Sequence, residues 1–230
     1  MIRVAVFDAY GTLFDVYSVS ALAETLFPGQ GQALSVLWRD KQIEYSRLVS
    51  LSDPRPEGSR HYRDFWDLTR LALRYAGERL GLALTPEITE RLMQQYAHLQ
   101  AFPDSREVLQ ALQARGLPCA ILSNGSPAML AQAADSAGLA PHLDRVLSVD
   151  GVRHFKTTPW SYDLVQQHYP VAKNEVLFVS SNGWDALGAT WYGFTTFWVN
   201  RQGLPFETLD PRPCHTGSDL HHILSLLPVA

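Results

Sequence analysis

Cysteine is scarce in this sequence: Cys119 sits in an apolar run and Cys214 in a polar tail, two in 230 residues. They have neither metal-ligand spacing nor the makings of a disulfide framework, which fits a reducing, cytoplasmic compartment. Long hydrophobic runs are missing as well. No apolar stretch approaches the roughly 20 residues that cross a bilayer. The start lacks a basic region leading into an apolar one, so neither a membrane span nor a secretory signal is expected. Positive charge is not in excess, with 19 Lys and Arg against 23 Asp and Glu and a net charge of −4. That balance, and aromatics with no stacking series on a basic background, exclude a nucleic-acid or anionic-membrane footprint. The histidines show no ligand spacing, and His221 and His222 would point to different helical faces, so no metal is assigned to them. There is no internal repeat.

What is present is enough apolar sequence, 46% of residues, to bury a sizeable core. The runs RVAVFDAY, PCAILSNGS, RVLSVD, EVLFVSSNG and TTFWVNR are short, β-rich and continuous rather than alternating. Such runs suit parallel strands covered on both faces. Helical patterns lie between them. One is SREVLQALQARG, with Asp104 as N-cap and Gly116 past its end. Another is SPAMLAQAADSAG, with Ser126 as N-cap, Pro127 at the first position and Gly138 as stop. A third runs from Pro159 to about Gln167. Strand alternating with helix predicts an α/β fold with a doubly wound, mainly parallel Rossmann-like sheet. Residues 15–98 carry helical periodicity without a convincing strand, and in them Phe65, Leu68, Leu71, Ala72 and Tyr75 share one helical face. This predicts an inserted helical cap over 15–98, interrupted by the loop SLSDPRPEGSRH, on a core formed by 1–14 and 99–230.

In open α/β sheets ligands bind outside the carboxyl ends of the strands. Asp8, Ser123 with Asn124, and Ser180 to Asn182 all follow predicted strands, so several loops would converge on one crevice. The cap leaves directly after the first strand and brings Arg39 as a candidate ligand. Taken singly, Asp8 also reads as a strand-end cap, Lys156 as a solvated lysine and Arg39 as one face of an amphipathic helix.

Together, FDAYGTLFD, ILSNGSP, the lysine of HFKTTPWSY and FVSSNGWDALGA resemble the four signature motifs of the haloacid dehalogenase superfamily, in order. The resemblance spans almost the whole chain, includes LWRDKQIEY in the cap, and points to the L-2-haloacid dehalogenase branch. Phosphatases of the superfamily carry a second acid two residues after the nucleophile, where this chain has Tyr10. They also carry acidic residues opening the fourth motif, where it has Ser180 and Ser181. Mg²⁺ favours several hard carboxylate oxygens, so no cofactor and no tight Mg²⁺ site are expected. A Mg²⁺-dependent phosphatase on a small phosphate ester, and a non-catalytic binding protein of the same fold, are the alternatives.

The resemblance implies that Asp8 attacks C2 of a short L-2-haloalkanoate, expels halide with inversion and forms an ester that water opens to a 2-hydroxy acid. It further implies that Thr12 orients Asp8 and that Lys156 keeps it ionised. Ser123 and the amides of the turn at Ala9 and Tyr10 would hold the substrate carboxylate. Arg39 and Asn124 would face the halide, while Ser180 and Asn182 would fix the hydrolytic water. Asp185 would orient Lys156 or act as base, and Tyr162 matches the family tyrosine near the lysine. Tyr10, Ile43, Phe65 and Trp184 would form an apolar wall, although each taken singly reads more readily as core or interdomain packing. The partners implied are the haloacid, the halide product and a second copy of the chain, since apolar cap positions and family habit point to a homodimer. Two departures from the family pattern border this pocket. Thr157 and Thr158 precede Pro159 where proline commonly follows the lysine directly, and the loop around Pro54 to Gly58 is longer.

Overall fold

The computed structural model describes residues 1–227. Six parallel strands form one sheet in the order β3-β2-β1-β4-β5-β6. They are β1 (Val4–Phe7), β2 (Cys119–Ser123), β3 (Arg145–Ser148), β4 (Val176–Ser180), β5 (Thr195–Val199) and β6 (His215–Gly217). Every residue of β1, β2 and β4 is buried, as continuous apolar strands require when both faces are covered. The edge strand β3 departs from that expectation, exposing Arg145 and Val146 because no strand covers its outer side.

The chain runs from β1 outward through β2 to β3, then returns to the other side of β1 for β4. This makes β1 the switch point, where the loops after β1 and β4 diverge and leave a crevice. Phe7 pairs in register with Ile121 on one side and Val179 on the other. The residues just past these positions, Asp8, Ser123 and Ser180, therefore emerge at one level.

Helices α1 (Tyr17–Leu26), α2 (Gly31–Ser52), α3 (Phe65–Leu80) and α4 (Pro86–Ala97) lie between β1 and β2, before α5 (Pro103–Ala114). Where the chain leaves and returns, the two segments run side by side: Asp15 N donates to Gln100 O at 2.7 Å and Phe102 N to Leu13 O at 2.9 Å. Local sequence sets the helix ends. Asp64 caps α3 by accepting from Asp67 N, and Gly81 closes it in the left-handed region at φ 67°. The buried face of α3 is Phe65, Leu68, Thr69, Ala72, Leu73 and Ala76. Leu71 and Tyr75 are instead exposed, because α2 covers the side turned by one residue from the expected stripe.

Helices α6 (Pro127–Ser136), α7 (Pro159–His168) and α8 (Gly183–Tyr192) complete the core. Ser126 caps α6 as expected, with its oxygen accepting from Met129 N. Asp104 does not cap α5. Phe102 holds that position and Pro103 the first turn, while Asp104 turns inward to accept from both Arg201 Nη atoms, at 2.8 and 3.0 Å, and from Leu220 N. A carboxylate that is nearly buried keeps its charge only when paired in this way. No helix among the described residues is long and apolar enough to cross a membrane.

Candidate active site

Asp8 stands one residue past β1, 6% exposed, with its amide donating to Val179 O. Both carboxylate oxygens are engaged. Oδ1 accepts from Lys156 Nζ at 3.0 Å, and Oδ2 accepts from Thr12 Oγ1 at 3.1 Å and Asn182 Nδ2 at 2.8 Å. The tight turn after Asp8 supplies Thr12: the Ala9 carbonyl accepts the amides of Thr12, Leu13 and Phe14, and Gly11 takes φ 87°, which favours glycine. Thr12 Oγ1 also accepts from Ser181 N at 2.9 Å, fastening the turn after β1 to the loop after β4.

Lys156 is 1% exposed and lies between two carboxylates, its Nζ also donating to Asp185 Oδ2 at 2.9 Å. Burial is the largest single influence on Lys156 and pulls its pKa down. The attraction of Asp185 and Asp8 together outweighs it, so the net shift is upward and the ammonium persists. Asp185 is pushed up to about 6, first by burial, against the opposing pull of Lys156, with Asp8 adding to the rise. Tyr162 OH donates to Asp185 Oδ1 at 2.8 Å, so both oxygens of that buried carboxylate are committed.

Thr157 and Thr158 do not take Lys156 away from Asp8. Thr158 precedes α7, and Asn124 Oδ1 accepts from Lys156 N at 2.9 Å to hold the lysine's backbone from β2's side. Arg39, in the middle of α2, donates to Asn182 Oδ1 at 2.8 Å and reaches Tyr10 O at 3.4 Å. The Asp8, Thr12, Arg39, Lys156, Tyr162, Asn182 and Asp185 side chains are thus one connected network, which Asn124 joins through the Lys156 backbone amide.

Others sit nearby without a hydrogen bond to Asp8. Ser123 Oγ accepts from Gly125 N, and the fully buried Ser180 Oγ accepts from Asn182 N. Tyr10 packs its ring against Tyr96 at 5.4 Å and Phe65 at 6.2 Å between centroids, and burial lifts its pKa well above the usual phenol value. Trp184 opens α8 beneath the Arg47 guanidinium, 5.1 Å from its ring centre. Ile43 follows Arg39 by one turn on the same face of α2 and is half-buried. A cavity of about 530 Å³ is lined by Tyr17, Trp38, Arg39, Asn182 and Trp184 among others; Asp8 is not part of its lining.

Two contributors were not singled out from sequence. Ser181 donates to Gly11 O at 2.6 Å as well as meeting Thr12, yet it had no role from sequence beyond its place among the strand-end residues and as a missing metal ligand. Tyr96 belongs to the buried face of α4, and the helical periodicity there was the available signal.

The donors do not fit Mg²⁺. The Asp8 and Asp185 carboxylates converge on the Lys156 ammonium rather than on open space, and position 10 is a buried phenol. Among the described residues, acidic and histidine groups gather at ligand distance at Asp104, Asp219 and His221, a set that includes neither Asp8 nor Asp185.

Residues 2–193 match the family model of haloacid dehalogenase-like hydrolases. The chain belongs to that family. Within these hydrolases it is similar to (S)-2-haloacid dehalogenase H-109 of Pseudomonas putida, 43% identical over 94% of this chain and 93% of the relative. Among solved structures it resembles the L-2-haloacid dehalogenase RSc1362, with a TM-score of 0.95 and 56% identity over 98% of both chains. It also resembles the L-2-haloacid dehalogenase of Xanthobacter autotrophicus with chloropropionic acid covalently bound, with a TM-score of 0.87 and 38% identity over 98% of both chains. The dehalogenase-like hydrolase fold thus carries a lysine-centred, nearly closed carboxylate site in this chain.

Proposed function

We propose that this protein hydrolyses short-chain L-2-haloalkanoic acids to 2-hydroxy acids and halide, with inversion and without a metal. The observation that carries this reading is the Lys156 ammonium between Asp8 and Asp185, with Tyr10 where a phosphatase would hold its acid. Halide leaves carbon as a weak base and needs no proton, whereas an alcohol leaving phosphorus does. An Asp8 oxygen forms a bond to C2 as the carbon–halogen pair departs with halide, and the product is an ester of Asp8. Water then adds to the Asp8 carbonyl carbon, the ester C–O bond breaks, one of the water's protons passes to the departing alkoxide oxygen and the other to solvent, and the hydroxy acid leaves with the carboxylate restored.

The protein's share in this is positioning and dryness, for which holding the reactants in a near-attack arrangement contributes on the order of 7–11 kcal/mol. Lys156 keeps Asp8 anionic beside an anionic substrate, and Thr12 and Asn182 fix its orientation. The amides of Ala9 and Tyr10, which the turn does not use, and Ser123 receive the substrate carboxylate. Arg39 and Asn124 meet the halide; Tyr10, Phe65, Trp184 and Ile43 wall the alkyl group. Asp185, with both oxygens committed, holds Lys156. Residues 15–98 act as a cap on the core of 1–14 and 99–230, closing the site from solvent. Two free cysteines, Cys119 buried with its thiol pushed up to about 12, support a cytoplasmic setting.

Halide release from separate enantiomers of 2-chloropropionate in excess EDTA tests the reading. Release from the L form alone supports it. Phosphate freed from a generic ester only with Mg²⁺, and no halide, would instead restore the phosphatase alternative; no turnover of either would favour a binding protein.

The pH profile reports on Asp185. Removing a hydrogen bond to a charged group is worth about 1.5 kcal/mol, and one pKa unit about 1.4 kcal/mol. Tyr162→Phe therefore raises the Asp185 pKa further, and the acid limb of kcat is expected to move up by about one pH unit. An unmoved limb would mean that Asp185 ionisation does not control turnover.

The homodimer belongs to the same proposal. Leu48 and Leu51 near the end of α2 and Leu71 on α3 are exposed, Leu51 by 73%, apolar cap positions that a second copy would cover. Light scattering should give twice the 25.7 kDa chain mass. A concentration-independent monomer would contradict it.

A further inference from the structure

The loop after α2 and the segment around Lys156 meet each other in the structure. Ser50, in the last turn of α2, accepts from Phe155 N at 2.8 Å through its Oγ. His154 Nε2 bonds Arg55 O at 2.6 Å, and because a carbonyl only accepts, the ring proton is on Nε2. Ser59 N donates to Arg153 O at 3.2 Å, and Tyr62 OH donates to Asp150 Oδ1 at 2.7 Å. The Tyr62 and Phe155 rings stack at 5.1 Å.

The loop itself is stiffened at its start. Arg55 chelates Asp53 with two bonds of 2.8 Å, and Asp53 Oδ2 also accepts from Arg60 N. The Arg55 carbonyl that meets His154 is therefore presented by a braced turn rather than a free strand of chain. His154 is fully buried, stacked on Trp160 at 4.6 Å, and its Nδ1 makes no hydrogen bond. A single hydrogen bond therefore fixes how this ring sits, and Lys156 follows two residues later.

We propose that His154 is a positioning residue for Lys156: its bond to the Arg55 carbonyl fastens the loop after α2 to the segment that carries the lysine. This rests on the dehalogenase reading, in which Lys156 sustains Asp8. The consequence comes from α2 being one rigid element. Arg39 lies mid-helix and reaches Asp8 Oδ2 through Asn182, while Ser50 lies eleven residues further, roughly 16 Å along the axis, and reaches Lys156 through Phe155. The two cations that face Asp8 are placed by the same helix and its loop. They therefore come to the carboxylate as a unit rather than independently.

The test is steady-state halide release from L-2-chloropropionate by wild type, His154→Leu, His154→Gln and Ser50→Ala, with melting curves for each. Glutamine can place an amide donor where Nε2 lies, and leucine cannot. His154→Leu is expected to lose at least tenfold in kcat with KM changed less than threefold, because the lysine and not the substrate pocket is displaced. His154→Gln is expected to recover to within threefold of wild type. Ser50→Ala, which removes the neighbouring bond, is expected to lose about fivefold in kcat at unchanged KM, and decides the matter should His154→Leu fail to fold. A folded His154→Leu with kcat within twofold of wild type overturns the role of His154, as do equal losses in the Leu and Gln variants. An inactive wild type overturns the dehalogenase reading and the role of His154 in it together.

Discussion

Asp8→Asn is expected to abolish halide release, by a factor of about 10⁴ or more, while the protein stays folded. An amide oxygen is a far weaker nucleophile than a carboxylate, and no other carboxylate in the crevice is placed to replace it, because Asp185 is fully buried while Asp8 keeps some exposure. Four factors of ten correspond to about 5.4 kcal/mol of lost transition-state stabilisation. The fold has reason to survive. An asparagine fills the same space, its oxygen can still accept from Lys156 Nζ, and Asp185 remains as the lysine's counter-charge. Chloride assays with a melting curve as control check this. Activity within a hundredfold of wild type would assign the chemistry to another group.

Lys156→Met is expected to lower kcat about 10³-fold and to change how stability depends on pH. In the wild type one ammonium offsets two carboxylates in a site closed to water. Removing one partner of a buried pair typically costs about 3–5 kcal/mol because the remaining charge is left uncompensated. Here two remain. Asp185, already pushed up to about 6 by burial, then loses the opposing pull of Lys156 and holds its proton to still higher pH, against about 4 for a carboxylate in the unfolded chain. A folded pKa raised above the unfolded value gives stability that is present below the unfolded value and lost as pH rises. The variant's melting temperature should therefore fall relative to wild type from about pH 6, where Asp185 ionises in the wild type, toward about pH 8. A constant difference across that window would show that Asp185 does not depend on Lys156 for its charge.

The convergence of the candidate site was legible in the sequence because much of it sits at strand ends. Asp8, Asn124 and Asn182 each follow a short apolar run, and in an open parallel sheet such positions must converge. Lys156 and Tyr162 are less local, and their recognition came from motif order rather than from any periodicity. What the sequence hid was pairing across long separations. Asp104 has the look of a helix cap, but it is drawn inward by Arg201, 97 residues later. Strand β6, only His215–Gly217, lies beyond a proline-rich stretch and has no apolar run to announce it; its place comes from pairing with β5. On α3 the apolar pattern allowed Leu71 and Tyr75 to face inward, and only contact with α2 selected Thr69 and Leu73 instead. The docking of the loop after α2 onto residues 150–155 was equally hidden, since its bonds run largely through backbone carbonyls and amides that any residue could supply.

The central claim is that the Asp8 carboxylate forms a covalent ester which water opens at the carboxylate's own carbon. A single turnover in ¹⁸O-labelled water, with enzyme in excess over L-2-chloropropionate, separates this from direct attack by water on the substrate. The account predicts that the label enters the Asp8 side chain, found by mass spectrometry in the peptide that contains it, and that the hydroxy acid stays unlabelled. Label in the hydroxy acid, with the Asp8 peptide unchanged, would contradict it.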